Sequence, residues 1–259
     1  MIQEGTGAVT SESQGAIGFI TFSHPAHNSL PSKLLRLLAE RILELGRNPL
    51  LKVIVLKSGG DRTFCAGANF REMAAIQDLE ESTQFFKGFA NVINAIRTCG
   101  KIVIGRLQGK AVGGGVGLAA AVDYCMATKW SSIRLSEISL GIGPFVIEPA
   151  LRRKIGVSGF SQLALNPTEW QTAKWAKQQG LFQEMFDTTD LLDNYMARYL
   201  DKLQSYDLNA LGAMKAVLWE GTEHWEHTLV KRSKQSGSLL LSAYCQERLS
   251  KLLQKEKFT

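Results

Sequence analysis

Two segments of this 259-residue sequence carry small residues in arrangements that can do chemistry. In GKAVGGGVGLAAAVDYC, residues 109–125, the glycines Gly113, Gly114 and Gly115 stand between a strand-like run and an alanine-rich segment. Bare backbone there serves one of two ends. It lets a helix and a strand pack where side chains would collide. Alternatively, at a helix N-terminus it leaves peptide N–H groups unpaired, and their partial positive charge can hold a developing anion. In FCAGANFREM, residues 64–73, the run Ala66, Gly67, Ala68 leaves the backbone accessible at a strand end, and Asn69 is placed to open a helix. Alone this is a tight turn. Paired with the glycine run, it supplies the second donor of an oxyanion hole, which stabilises a carbonyl oxygen as it gains charge.

Single residues exclude other chemistries. A dinucleotide fingerprint beginning at Gly113 needs a glycine at position 118, where Leu118 stands. A phosphate loop ending at Gly109-Lys110 needs a glycine in place of Ile104 and a hydroxyl in place of Ala111. No serine has the GxSxG context of a nucleophile elbow. The pairs His24/His27 and His224/His227 lack HExxH spacing and a carboxylate partner, so no metal is expected. Cys65, Cys99, Cys125 and Cys245 form no CxxC pair and read as core or idle thiols.

Hydrophobic periodicity gives the elements that must carry these segments. Strands are expected over residues 15–22, 52–60 and 101–109, the last leading straight into the glycines. Between the first two, Ser29 or Ser32 can cap a helix whose apolar face is Leu34, Leu35, Leu38, Ile42 and Leu45, stopped by Asn48-Pro49. A second helix is expected over residues 82–97, and β character resumes in AVDYCMAT and SIRLSE. After about Val146 the pattern is mostly helical: ALRRKIG, then residues 168–179, 190–203 and 209–219, and one long helix over 223–256 with a leucine stripe. Strand followed by helix recurs about every 50 residues in the first half. This loose period fits the stacked ββα turns of a spiral and also an open sheet. The fold class is α/β, with a core over residues 1–190 and a helical region over 191–259.

The formal charge of +6 and pI near 9.1 fit an anionic partner, and a phosphate-bearing small molecule would need few of these charges. Lysines and arginines are dispersed apart from Arg152-Arg153-Lys154 and Lys231-Arg232-Lys234, which argues against nucleic acid. No apolar run approaches the ~20 residues that span a bilayer. The N-terminus lacks a basic region followed by an apolar one, so a soluble, cytoplasmic protein without a membrane partner is expected.

Four blocks, HPAHNSLP, FCAGANFREM, GKAVGGGVGLAAAVDYCMAT and RLSEISLGIGP, occur in this order. Together they resemble the crotonase superfamily, the enoyl-CoA hydratases and isomerases, over about residues 15–187. The resemblance implies a crotonase-like spiral of ββα units, with a C-terminal helical region that builds trimers, often paired into hexamers. It implies that the backbone N–H groups of Ala68 and Gly114 hold the thioester oxygen of an acyl-CoA, with Ala66 beside the adenine end. Gly67, Gly113, Gly117 and Phe145 are expected to line the substrate. No cofactor is expected to be permanently bound, because coenzyme A arrives as part of the thioester.

Hydratases of this type use two glutamates. The second matches Glu137; the first would fall at Gly117, where the chain departs from the pattern. Glu137 alone can take a proton from one carbon and return it to another, as the single-glutamate isomerases of the family do. Glu148, in PFVIEPALRRKIG, is read either as a replacement for the missing carboxylate or as a helix-start acid favoured by the macrodipole. Phe145 takes the place where dienoyl-CoA isomerases carry an aspartate, and His27 the place of a basic residue that meets coenzyme A phosphates. The PFVIEPALRRKIG variant resembles a branch with methylglutaconyl-CoA hydratase-like proteins of branched-chain amino-acid breakdown. The resemblance thus implies addition of water to a 2,3-unsaturated acyl-CoA, as in fatty acid metabolism. Two alternatives stand beside it: a shift of a 3,4 double bond, and a non-catalytic crotonase-fold protein that binds acyl-CoA or RNA.

Overall fold

The computed structural model describes residues 7–256. The chain opens with an antiparallel hairpin, β1 (Ala8–Gln14) and β2 (Ile17–Ser23), then runs through α1 (Ser32–Arg47), β3 (Val53–Ser58), β4 (Thr63–Cys65), α2 (Phe70–Ala75) and α3 (Leu79–Thr98). Next come β5 (Ile102–Leu107), β6 (Lys110–Val112), α4 (Gly114–Ala121), β7 (Tyr124–Thr128), β8 (Ile133–Arg134) and a 3-10 turn (Glu137–Leu140). The C-terminal half holds α5 (Glu148–Leu165), α6 (Ala173–Gln178), β9 (Glu184–Phe186), α7 (Thr189–Ser205), α8 (Leu208–Leu218), α9 (Trp225–Leu240) and α10 (Ala243–Glu256).

The strand pairs β3/β4, β5/β6 and β7/β8 each give one strand to a six-stranded sheet, ordered β1-β2-β3-β5-β7-β9, and one to a three-stranded sheet, ordered β4-β6-β8. All pairings except β1-β2 are parallel. This repetition is the ββα spiral, and it explains why the loose 50-residue period holds only where both sheets are being built. Parallel strands are covered on both faces and so read as continuous apolar runs. Within VIVLKS, Ile54 and Leu56 enter the main core with the leucines of α1, whereas Val53 and Val55 face Leu192, Met196 and Leu200 of α7.

Four expectations are corrected. Neither Ser29 nor Ser32 caps α1; its cap position is Pro31, which has no side-chain donor or acceptor. Instead Glu72, on α2, accepts the Ser32 N–H at 2.8 Å through Oε2. A carboxylate at a helix start is favoured by the macrodipole, and here it also ties α2 to α1. Glu72→Ala is expected to cost about 1 kcal/mol in urea unfolding at pH 7, the size of a lost cap. An alanine variant as stable as the parent would show that the α1 leucines alone fix that helix start.

The long C-terminal helix is in fact two, broken at Leu241-Ser242, with Gln246 Nε2 donating to Leu240 O at 2.8 Å across the break. α9 packs along α3 and α10 folds back onto α2 and the 3-10 turn, so Leu240 and Leu249 are buried in the chain's own core. In the helical reading after Val146, residues 168–179 keep only α6, and β9 appears where no strand was read. Finally, the polar strand β1 lies at the sheet edge, ahead of the first expected strand. Among the described residues no helix is long and apolar enough to cross a membrane.

α8 is fastened to the sheet by a buried ion pair, Lys215 Nζ to Asp123 Oδ2 at 2.6 Å. Asp123 also accepts from Trp219 Nε1 and from the Val103 N–H, so neither of its carboxylate oxygens is left unpaired.

Candidate active site

The two small-residue segments follow equivalent strands of the three-stranded sheet, β4 and β6, and therefore emerge side by side. After β4, the Ala66 N–H donates to His27 O at 3.1 Å and the Leu30 N–H donates to Gly67 O at 2.8 Å, which pins the loop from both sides. Gly67 has φ +87°, and its Cα faces the other segment: a Cβ there would lie 2.8 Å from Val112 O and 3.3 Å from Gly114 N. Asn69 then caps α2, accepting the Glu72 N–H at 3.1 Å.

After β6, Gly113 (φ +51°) turns the chain into α4, and its N–H donates to Arg134 O at 2.9 Å. Gly114 begins the helix. Its N–H and that of Ala68 have no acceptor among the described residues, and both residues line one cavity. The first N–H groups of a helix have no intrahelical partner, so the sequence puts a donor at Gly114. Phe89 of α3 packs where a Gly114 side chain would be, which keeps that position bare.

Glu137, at the start of the 3-10 turn, reaches the same cavity. A Cβ on Gly113 would lie 2.7 Å from Glu137 Oε1, so the carboxyl rests against the turn that precedes the Gly114 N–H. Its Oε2 is buried without a hydrogen-bond partner. Burial pushes its pKa up from 4.5 to about 7, opposed by its own backbone N–H, by the Arg134 charge and by the Ser136 N–H. Of the side chains that line the cavity, Glu137 is the one that carries a charge.

The other expected site residues divide. Ala66, Gly67, Gly113 and Phe145 line the cavity, the Phe145 ring packing over Gly143. Gly117 does not: it is buried in α4, and a Cβ there would overlap Ile147 Cγ2, so an isoleucine fills the space. Glu148 also stands outside the cavity wall. As first residue of α5 it pairs with Arg152 Nη1 at 2.9 Å and Arg232 Nη2 at 3.1 Å, which places it as a helix-start acid with two cations on it. All four cysteines are buried and unbridged, with burial pushing the Cys65 thiol up to about 12.

The family model described as enoyl-CoA hydratase/isomerase matches residues 12–257. The chain belongs to that family. Among its relatives is the mitochondrial 3-hydroxyisobutyryl-CoA hydrolase of Gallus gallus, 30% identical over 57% of this chain and 40% of the hydrolase. The chain thus spans under half the length of that relative. It is 24% identical to the peroxisomal Delta(3,5)-Delta(2,4)-dienoyl-CoA isomerase of Arabidopsis thaliana, over 96% of this chain and 94% of the isomerase. Among solved structures, an enoyl-CoA hydratase from Bacillus halodurans superposes with a TM-score of 0.87 at 23% identity, over 93% of this chain and 98% of the other. The fold is therefore the crotonase fold that the four blocks imply.

Within the enoyl-CoA hydratase/isomerase family, several wall residues of this chain were not legible as site residues. Phe86 and Phe89 lie in α3 at a spacing that reads as a core stripe. Ile147 lies within the quoted PFVIEP run, but only packing shows it over Gly117. Ser236 comes from α9, far along the chain, and no local pattern signals it.

Proposed function

We propose that this protein moves a proton within a coenzyme A thioester, carrying a 3,4 double bond into conjugation as a Δ3-Δ2 enoyl-CoA isomerase does. The observation that carries the reading is one carboxyl, its Oε2 buried without a hydrogen-bond partner, against a cavity with two unpaired N–H donors and otherwise uncharged walls. The thioester oxygen accepts from the Ala68 and Gly114 N–H groups. Ionised Glu137 takes a proton from C2; the C–H electrons enter the thioester as a dienolate, whose oxygen charge the two donors stabilise. The same carboxyl returns the proton to C4, leaving a 2,3 double bond.

Hydration, the outcome first expected from the resemblance, asks for a second acid to hold water. The position of that acid is filled by Ile147, and Glu148 is engaged by two arginines, which is why isomerisation is preferred here. The same reading takes Val157, Leu165 and Leu239, apolar side chains left exposed on α5 and α9, as part of a surface through which copies associate.

Absorbance of the conjugated thioester separates the outcomes. With a 3-enoyl-CoA it is expected to rise, and with crotonyl-CoA to stay constant. A fall with crotonyl-CoA would assign hydration instead, and a constant signal with both would remove the catalytic reading.

A further inference from the structure

Arg134 sits three residues before Glu137, at the end of β8, and its side chain is held from outside the cavity. The Ile133 and Gln171 backbones exchange two hydrogen bonds of 2.9 Å. That bridge brings Trp170, next in sequence to Gln171, against Arg134, next to Ile133. The guanidinium carbon lies 4.6 Å from the Trp170 ring centroid, and Lys110 Nζ reaches the same ring at 5.1 Å. Stacking on an indole holds a guanidinium without consuming its charge. Arg134 Nε is buried with no acceptor, and three residues away Glu137 Oε2 is buried with no donor. Arg134 O accepts the Gly113 N–H, so the same residue also braces the turn that presents the Gly114 donor.

Among the described residues, Arg134 is the side-chain charge that acts on Glu137. The 3-10 turn is packed by α5 and α10 and approached by the start of α4. α4 carries no charged side chain. Glu148 of α5 is paired with Arg152 and Arg232 outside the cavity wall. On α10, Arg248 lies over the Tyr244 ring, and Glu247 pairs with Lys251.

We propose that Arg134 is a positioning residue for the reaction: clamped on Trp170 behind the cavity, it supplies the positive charge that lets the buried Glu137 carboxyl ionise and shuttle a proton. This rests on reading Glu137 as the shuttle. Burial alone would leave that carboxyl protonated at neutral pH, a poor base; an opposite charge nearby favours the ionised form. The Arg134 charge is accordingly the largest influence on Glu137 from another side chain.

The test is a carboxyl 13C NMR titration of wild type, Arg134→Gln and Arg134→Lys, with Glu137→Gln identifying the signal, run beside the pH dependence of kcat/KM. Wild type should titrate at about 7. Arg134→Gln should move the midpoint up by about one unit, and with it the acid limb of kcat/KM, so that activity is lost near neutrality and recovered in alkali. Arg134→Lys should restore most of the wild-type profile. Should Arg134→Gln not fold, Trp170→Leu, which removes the clamp from outside the cavity wall, should shift the midpoint in the same direction. An unchanged midpoint in these variants, or an activity loss uniform across pH, overturns the inference. A shifted midpoint in a protein that turns over no thioester would leave the coupling standing and remove the proposed function.

Discussion

Glu137→Gln is expected to lower kcat about 10³-fold with any thioester the protein turns over, the scale of a lost general acid–base group. The same variant should be more stable than the parent in alkali. The wild-type carboxyl titrates at about 7 in the folded state and at 4.5 when unperturbed, so below 4.5 it is neutral in both states and burial costs nothing. As pH rises from 4.5 to 7, the unfolded chain releases its proton first, and stability falls with pH across that window. Above 7 the folded protein carries a charge whose desolvation its neighbours only partly offset, at a cost of about 3 kcal/mol. Glutamine has the shape of the neutral acid and never ionises. Urea unfolding at pH 8.5 should therefore show Glu137→Gln ahead of wild type by up to that amount, with the gap closing as pH approaches 4.5. Wild-type turnover in this variant, or a loss of stability at pH 8.5, would show that Glu137 is a structural acid.

That coupling of activity to instability separates what the sequence could reveal from what it could not. The parallel strands were legible because burial on both faces leaves unbroken apolar runs such as VIVL and IVI, a local signal. β1 was not, because AVTSESQ pairs through its backbone at a sheet edge and needs no apolar face. The break between α9 and α10 has no glycine or proline to mark it; α10 turns there because Leu249 finds the core by folding back. In the site, the two donor segments were legible because their small residues are a local requirement. The fates of Gly117 and Glu148 were not, since Ile147 decides the first by packing and Arg232, on α9, holds the second. The choice between one and two working carboxylates thus depends on contacts that sequence spacing does not encode.

Gly67 gives the sharpest test of the converging donors, because a control separates backbone strain from catalysis. Gly67 and Gly100 both hold left-handed backbone, at φ +87° and +71°. Around a Cβ at Gly100 there is no atom within 4 Å, so Gly100→Ala should cost only the left-handed conformation of an L-residue, about 1–2 kcal/mol, and leave turnover unchanged. A Cβ at Gly67 meets Val112 O at 2.8 Å and Gly114 N at 3.3 Å, both main-chain atoms that no rotamer change can move aside. Relief must come from separating the β4 loop from the start of α4, and that separation pulls the Ala68 and Gly114 N–H groups apart. Gly67→Ala should therefore be less stable than Gly100→Ala and should lose about 10²–10³-fold in kcat, the scale of a lost oxyanion donor. The loss should fall on kcat more than on KM, since the donors act on charge that develops only in the enolate. Equal turnover in the two variants would mean that the thioester oxygen sits elsewhere in the cavity.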